Sequence, residues 1–233
     1  MEDINNINEQ NKKNIIRRIF QVALSILIFA SLFFISSGKI AWIYAWIYIL
    51  ISNLFVVINS FLLPKELIAE RGKRKENIES WDKIITLIMI ITIFSIYIIS
   101  GLDIRFGWTA RYGLPIYILG FAGFISGNSL VSWAMVSNKY FSTAVRIQVD
   151  RNQSVADSGP YSIIRHPGYL GMILYYFATP VALGSIWGLI PAAATLVMFI
   201  IRTAMEDKTL KLKLEGYEEY AERVKFRILP GIW

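Results

Sequence analysis

The chain has 233 residues, of which 55% are hydrophobic and 18% charged, and a mean hydropathy of +0.48, which is too apolar for an ordinary soluble fold. It contains no cysteine and one histidine, His166, so disulfide frameworks, thiolate zinc sites, cysteine nucleophiles and multi-histidine metal clusters are excluded. The net charge of +7 does not point to nucleic acid, because the basic residues lie between apolar runs, where anionic membrane lipids are the natural partners.

The leader, 1–18, is polar and Asn-rich, cannot bury a core and is expected to be disordered. It does not read as a cleaved signal peptide: its polar stretch is long, and Phe34, Ile35 and Lys39 stand where small cleavage-site residues would be needed. Apolar runs at 19–37 and 40–63 predict two transmembrane helices joined by a tight turn through Ser37, Gly38 and Lys39, the second stopping at Pro64. Two more are predicted at 84–100 and 114–136, completing a four-helix region over 19–137. The runs 169–183 and 186–205, separated by Gly184 and Ser185, read as a second helical hairpin whose short first arm either tilts or penetrates partway. At ~1.5 Å per residue the longer runs cover a ~30 Å hydrocarbon layer. The expected fold class is therefore all-α, a polytopic membrane bundle of about six transmembrane helices.

Lysine and arginine are distributed asymmetrically about these spans. Four fall in the leader, six in 64–83, four in 139–165 and seven from Arg202 onward, against Lys39, Arg105 and Arg111 on the opposite side. The positive-inside rule then puts both termini and the large polar segments in the cytoplasm. Gly120, Gly123 and Gly127 share a face of the fourth span, a small-xxx-small spacing that favours packing within the chain over a dimer contact, while the oligomeric state stays open. Trp42, Tyr44, Trp46 and Tyr48 suit the headgroup layer. No internal repeat is evident and the predicted spans lack the buried charges of an ion pathway. Polar chemistry is concentrated in two other segments.

The first is 146–171. Ser158, Gly159 and Pro160 mark a turn, and Pro167 disfavours helix at His166 while fitting the first turn of the helix that follows. Gly168 and Gly171 remove bulk at this helix start, where unpaired backbone N–H groups can meet a ligand. The second segment opens with Arg202 and Glu206, which at i and i+4 share a helical face, either as a plain ion pair or as separate contacts to a charged ligand. It continues over 217–233 as an amphipathic helix ending at a Pro-Gly stop. That helix is either a basic surface element or a flap that folds back and brings Arg223 towards Arg165.

The string Gly159-Pro-Tyr-Ser-Ile-Ile-Arg-His-Pro-Gly-Tyr-Leu-Gly171, then Arg202 with Glu206-Asp207, then Tyr217-x-x-Tyr220-x-x-Arg223-Val, resembles the isoprenylcysteine carboxyl methyltransferase family in its prokaryotic branch, a relative of the membrane phospholipid N-methyltransferases. The resemblance covers 146–233. It implies an integral membrane enzyme that binds S-adenosyl-L-methionine between the end of a span and a folded C-terminal segment, which makes 138–233, with its Arg-His-Pro-x-Tyr motif, the catalytic region. It further implies cofactor contacts at Gln148, Gln153, Ser154, Val155, Ala156, Tyr161, His166, Pro167, Gly168, Tyr169 and Glu206. Arg202 falls on the substrate side, and Arg165 and Arg223 match arginines near the reacting carboxylate. Asp207 stands where the family usually has glutamate, and nothing in the leader or first hairpin specifies the acceptor.

Such a cofactor carries its own activated methyl group, so the protein needs to bind, align and exclude water, without a metal. A carboxylate acceptor is already nucleophilic at neutral pH, and arginine suits its orientation. The acceptor expected from the resemblance is a lipophilic small molecule or lipidated substrate entering from the bilayer. A lipid amine acceptor would instead need a base such as Glu206 or His166. A membrane scaffold or transporter is the non-enzymatic alternative, and it predicts no cofactor binding.

Overall fold

The computed structural model describes the backbone of residues 2–73, 76–110 and 112–233, with side chains from residue 9 onward. Arg74, Lys75 and Arg111, which enter the charge distribution above, lie outside the described residues. In chain order the elements are α1 (Glu2–Ser37), α2 (Ile43–Leu62), α3 (Lys65–Gly72), α4 (Ser80–Phe106), α5 (Leu114–Ser137), α6 (Pro167–Leu183), α7 (Leu189–Lys213) and α8 (Tyr217–Arg223). Short 3-10 turns occur at Val149–Arg151 and Gly159–Ser162, and no strand is present among the described residues. Helices α1, α2, α4, α5 and α7 are long and apolar enough to cross a membrane. Their outward faces carry exposed side chains such as Leu50, Phe61 and Leu119, as an integral membrane bundle requires.

The short arm, α6, has 17 residues, about 25 Å of helix. It begins at His166, beside Asp207 of α7, and just beyond its other end Ser185 Oγ donates to Asp103 Oδ2 at 2.6 Å. Five helices meet the length and apolarity needed for a crossing, against the six expected from the sequence, and α6, with 17 residues, is not among them. Its connection to α7 runs from Gly184 to Gly188, longer than the two-residue turn predicted.

The leader corrects one expectation. Instead of staying disordered, it continues α1, and Asn14 is buried where its carbonyl oxygen lies against Gly72 of α3. A Cβ on Gly72 would come within 2.1 Å of that oxygen. The stabilising partner is a distant helix, which the composition of 1–18 could not reveal.

Basic segments meet at one end of the bundle. Glu79 N donates to Val145 O, Lys213 Nζ reaches Glu79 Oε1 at 2.6 Å, and Lys73 Nζ reaches Asp150 Oδ2 at 3.2 Å. Lys39 lies at the other end, donating to Ile104 O. The glycine face of α5 serves contact within the chain. A Cβ on Gly127 would lie 2.6 Å from Tyr175 N and 2.7 Å from Gly171 O, so α5 and α6 approach backbone to backbone. This contact fixes α6, and with it His166 at the head of α6.

Of the aromatic residues at the head of α2, Trp46 is half exposed, whereas Trp42 and Tyr48 are buried against Phe33 and so are not free to sit in a headgroup layer. Tyr48 joins Tyr97, Tyr175 and Thr179 in a cluster of hydroxyls 3.1–3.2 Å apart. Helix α4 is longer than its apolar run, so Asp82 and Asp103 fall inside it, one near each end, and both are buried and bonded.

Candidate active site

At the basic end, a cavity of about 290 Å³ lies between α4, α6 and α7 on one side and the 138–156 loop and α8 on the other. Pro167 at the first turn of α6 leaves His166 as its non-helical N-cap residue (φ −126°, ψ 58°), as the His-Pro pair dictates. Gly168 allows the loop to close in, since a Cβ there would meet the Phe141 ring at 2.6 Å.

Asp207, with no exposed surface, is the hub that holds this end together. Arg165 donates Nε and Nη2 to its two oxygens at 2.7 and 3.0 Å, Arg227 Nε donates at 2.9 Å and the Tyr217 hydroxyl at 3.0 Å, and His166 Nε2 lies 3.3 Å away. Arg165 Nη1 also donates to the carbonyls of Val224 and Lys225. The backbone N–H groups of Arg165 and His166 donate to Phe226 O and Arg227 O, both at 2.9 Å. The last ten residues are therefore stitched onto the Arg-His-Pro segment, and α8 does fold back. Tyr220 completes the closure by donating to Tyr161 O at 2.7 Å.

Arg202 does not pair with Glu206. Its Nε and Nη2 clasp Asp82 at 2.7 and 3.1 Å, Nη2 also donates to Thr143 O, and Nη1 has no hydrogen-bond partner among the described residues. The guanidinium lies 5.6 Å from the Tyr169 ring, and the Tyr169 hydroxyl donates to Glu206 Oε2. Glu206 Oε1 has no hydrogen-bond partner among the described residues, and Glu206 is partly exposed beside the cavity. Burial pushes the phenols of Tyr161 and Tyr220 up, and burial followed by the Asp207 charge pushes up Tyr217, so these rings stay protonated at neutral pH. Farther out, Arg146 bridges Glu70 at 3.0 Å and Asp150 at 2.8 Å, and its bond holds the Asp150 carboxyl down at about 2.

The structure brings Gln148, Gln153, Ser154, Val155, Ala156, Tyr161, His166, Gly168, Tyr169, Glu206, Arg165 and Arg202 to this one cavity. Pro167 does not line it and shapes the start of α6 instead. Two expectations for the arginines change. Arg165 lines the cavity, but four of its five donors are committed to Asp207 and the C-terminal carbonyls, which makes it a clasp. Arg223 does not line the cavity; it is exposed and pairs with Asp157 at 3.2 Å. Gln148 is also largely committed, donating Nε2 to Tyr140 O and accepting from Arg151.

The sequence named Asp207, Tyr217 and Tyr220 only as motif positions, without the hub role of Asp207 or the cavity-lining roles of the two tyrosines, and it did not point to Asp82 as the partner of Arg202. Asp207 had one visible signal, the aspartate where the resemblance led one to expect glutamate. Asp82 had none, because its partner lies 120 positions away.

Residues 115–214, from the start of α5 to the end of α7, match the phospholipid methyltransferase family. That match covers less than half of the chain. A curated relative, protein-S-isoprenylcysteine O-methyltransferase B of Arabidopsis thaliana, is 28% identical over 120 residues, 50% of this chain and 57% of that protein. The chain thus matches little more than half the length of that relative. The family match covers the wall of the cavity that carries His166, Tyr169, Arg202 and Glu206 and ends before α8.

Proposed function

We propose that the cavity binds S-adenosyl-L-methionine and that the protein transfers its methyl group to the carboxylate of a lipophilic, isoprenylcysteine-like acceptor. The observation that carries this reading is the two-sided lining of one cavity. One side offers Gln153, Ser154, Glu206 and the protonated Tyr217, groups suited to the polar amino-acid and ribose parts of the cofactor. The other offers Met89, Ile90, Ile93, Met172 and Phe199. Ile90 is 45% exposed on the outer face of α4, so this apolar side reaches the lipid-facing surface, as entry of an acceptor from the bilayer requires.

When bound, the cofactor supplies a methyl group on a positively charged sulfur. Transfer of that methyl to a carboxylate oxygen, with the carbon–sulfur bond breaking, would give an ester and S-adenosylhomocysteine with no proton to remove. The chain's own work is then placement. Glu206, held by the Tyr169 hydroxyl, would receive donors from the cofactor's ammonium group, and Arg202, fixed by Asp82, would have Nη1 for the acceptor carboxylate. Such alignment supplies several kcal/mol of barrier reduction. Tyr217, Tyr220 and the C-terminal stretch close the cavity against water. The positive-inside rule puts this end, with both termini, in the cytoplasm.

Phospholipid amine methylation is the second reading, favoured by the description of the matching family and by the available Glu206 Oε1, which could take the amine proton. The deciding experiment supplies methyl-labelled S-adenosylmethionine to membranes containing the protein and treats the extracted product with base. Release of labelled methanol is expected of an ester. A base-stable label in a lipid amine would replace the first reading with the second, and absence of cofactor binding to the folded protein in calorimetry would end both.

A further inference from the structure

A second cavity, of about 520 Å³, lies between α1, α2, α4, α5 and α6, and shares no lining residue with the first. Its size falls within the ~300–1,000 Å³ of small-molecule sites, and most of its wall is aliphatic and aromatic. Its charge is confined to the basic end of the bundle, where Arg18 of α1 and Arg71 of α3 line it together. Neither arginine makes an ion pair among the described residues, and the nearby Glu70 is already bonded to Arg146. Arg71 rests 5.7 Å from the Phe141 ring, and its Nη1 is buried without a hydrogen-bond partner. Asn59 Oδ1, in the last turn of α2, and Ser132 Oγ, on α5, are buried and unpartnered as well, and both line the same cavity.

Three of the six such orphaned atoms among the described residues thus face one space. A guanidinium with a buried, unpartnered nitrogen and no anion is costly, and desolvation, with Arg18 adding to it, lowers the Arg71 pKa to about 10. Bulk water is a poor answer to this, because most of the wall is apolar. The groups ask for an anion with several oxygens, a hydrogen-bonding linker and a hydrocarbon tail.

We propose that this cavity is a binding site for an anionic glycerophospholipid. Its phosphate bridges Arg18 and Arg71, its glycerol region meets Asn59 and Ser132, and one acyl chain fills the space towards Tyr48, Tyr97 and Tyr175. Guanidinium groups match phosphate oxygens better than they match a single-point ligand. The location suits a lipid, since Val56 and Ile19 of the lining are exposed on the outer face of apolar helices while the arginines sit at the basic end of the bundle, where anionic headgroups are attracted. The site is independent of the methyl-transfer reading.

The test uses the full-length protein in neutral detergent, titrated separately with phosphatidylglycerol and phosphatidylcholine of identical acyl chains and with inorganic phosphate, reading lipid adducts by native mass spectrometry and the melting temperature. Each arginine near the headgroups contributes about fivefold, so phosphatidylglycerol should bind about 25-fold tighter than phosphatidylcholine and raise the melting temperature, with inorganic phosphate giving no comparable shift. Arg71→Gln and Arg18→Gln should each lose about fivefold of that preference. Arg71→Gln removes no ion pair, so it should fold and melt no lower than wild type without added lipid. Val56→Trp, which intrudes from the lipid face and leaves both arginines in place, should block the chain and abolish the tight adduct. Equal binding of the two lipids by wild type, an equal response to inorganic phosphate, or a phosphatidylglycerol preference unchanged in both Arg71→Gln and Val56→Trp would overturn the proposal.

Discussion

Asp207→Asn isolates the charge that closes the candidate active site. The amide keeps the volume of the side chain but leaves Arg165, whose side chain is only 4% exposed, without its anion. Breaking a buried pair from one side costs about 3–5 kcal/mol, largely through the uncompensated charge left behind. Arg227 is 32% exposed at the same carboxylate, so solvent screening keeps its share small. The loss should fall on the C-terminal closure, because Arg165 also donates to the carbonyls of Val224 and Lys225, and its own N–H is bonded to Phe226 O. At the lower bound of about 3 kcal/mol, local opening becomes about 150-fold more frequent. Hydrogen exchange followed by mass spectrometry should show that acceleration in peptides containing the amides of Arg165, His166 and Arg227, with the amides of α5 unchanged. Asp207→Glu keeps the charge and should show a smaller effect. Exchange within about fivefold of wild type in folded Asp207→Asn would refute the assignment of Asp207 as the hub.

Glu206→Gln should weaken S-adenosylmethionine binding at least tenfold by calorimetry while shifting the melting temperature little, because among the described residues Glu206 pairs only with the Tyr169 hydroxyl. Gly127→Ala should destabilise the α5–α6 contact by about 1–3 kcal/mol, read as a lower melting temperature, because its Cβ meets the α6 backbone and not a side chain that can move. Asp150 has a folded-state pKa depressed to about 2 by its bond to Arg146, with Lys73 assisting, so its stabilising share is complete above about pH 4 and lost as pH falls towards 2. Its side chain is 42% exposed, so Asp150→Asn should cost no more than about 1 kcal/mol at pH 7, a difference that shrinks on acidification in melting experiments. The rate of methyl transfer to a carboxylate acceptor should be flat from about pH 6 to 8, whereas an amine acceptor would make it climb with pH.

What the sequence made legible was what depends on neighbours in the chain. The apolar runs gave the spans, His-Pro gave the break at the head of α6, and the glycine spacing on α5 gave a close helix contact. Boundaries moved where a helix continued past its apolar stretch, as α4 does on both sides to include Asp82 and Asp103. The leader was misread because the helix it joins is stabilised by α3, across the turn at Pro64. The cavity-lining positions came from the motifs, whereas the pairing of charges did not. From spacing, Arg202 and Glu206 were plausible partners at i and i+4, worth a few tenths of a kcal/mol on an exposed helix. In the fold the buried Asp82 captures Arg202 in a two-point contact, which is the stronger geometry.

This distribution of pairings also decides which charge is available for chemistry. Of the three arginines that the motifs offered, Arg165 has four of its donors committed to Asp207 and backbone carbonyls, and Arg223 sits outside with Asp157. Arg202 alone among them combines a cavity position, a fixed orientation and an uncommitted Nη1. An arginine held by a buried aspartate is preorganised without being neutralised at its open edge, so it can align a carboxylate without first desolvating a mobile side chain. The same logic separates the neighbouring acids. Asp207 is saturated with donors and so has little capacity to act as a base, while Glu206 keeps an oxygen for a ligand. Adjacent residues on one helix thus differ in kind, Asp207 holding the C-terminal stretch over the cavity and Glu206 lining it with one oxygen unbonded among the described residues.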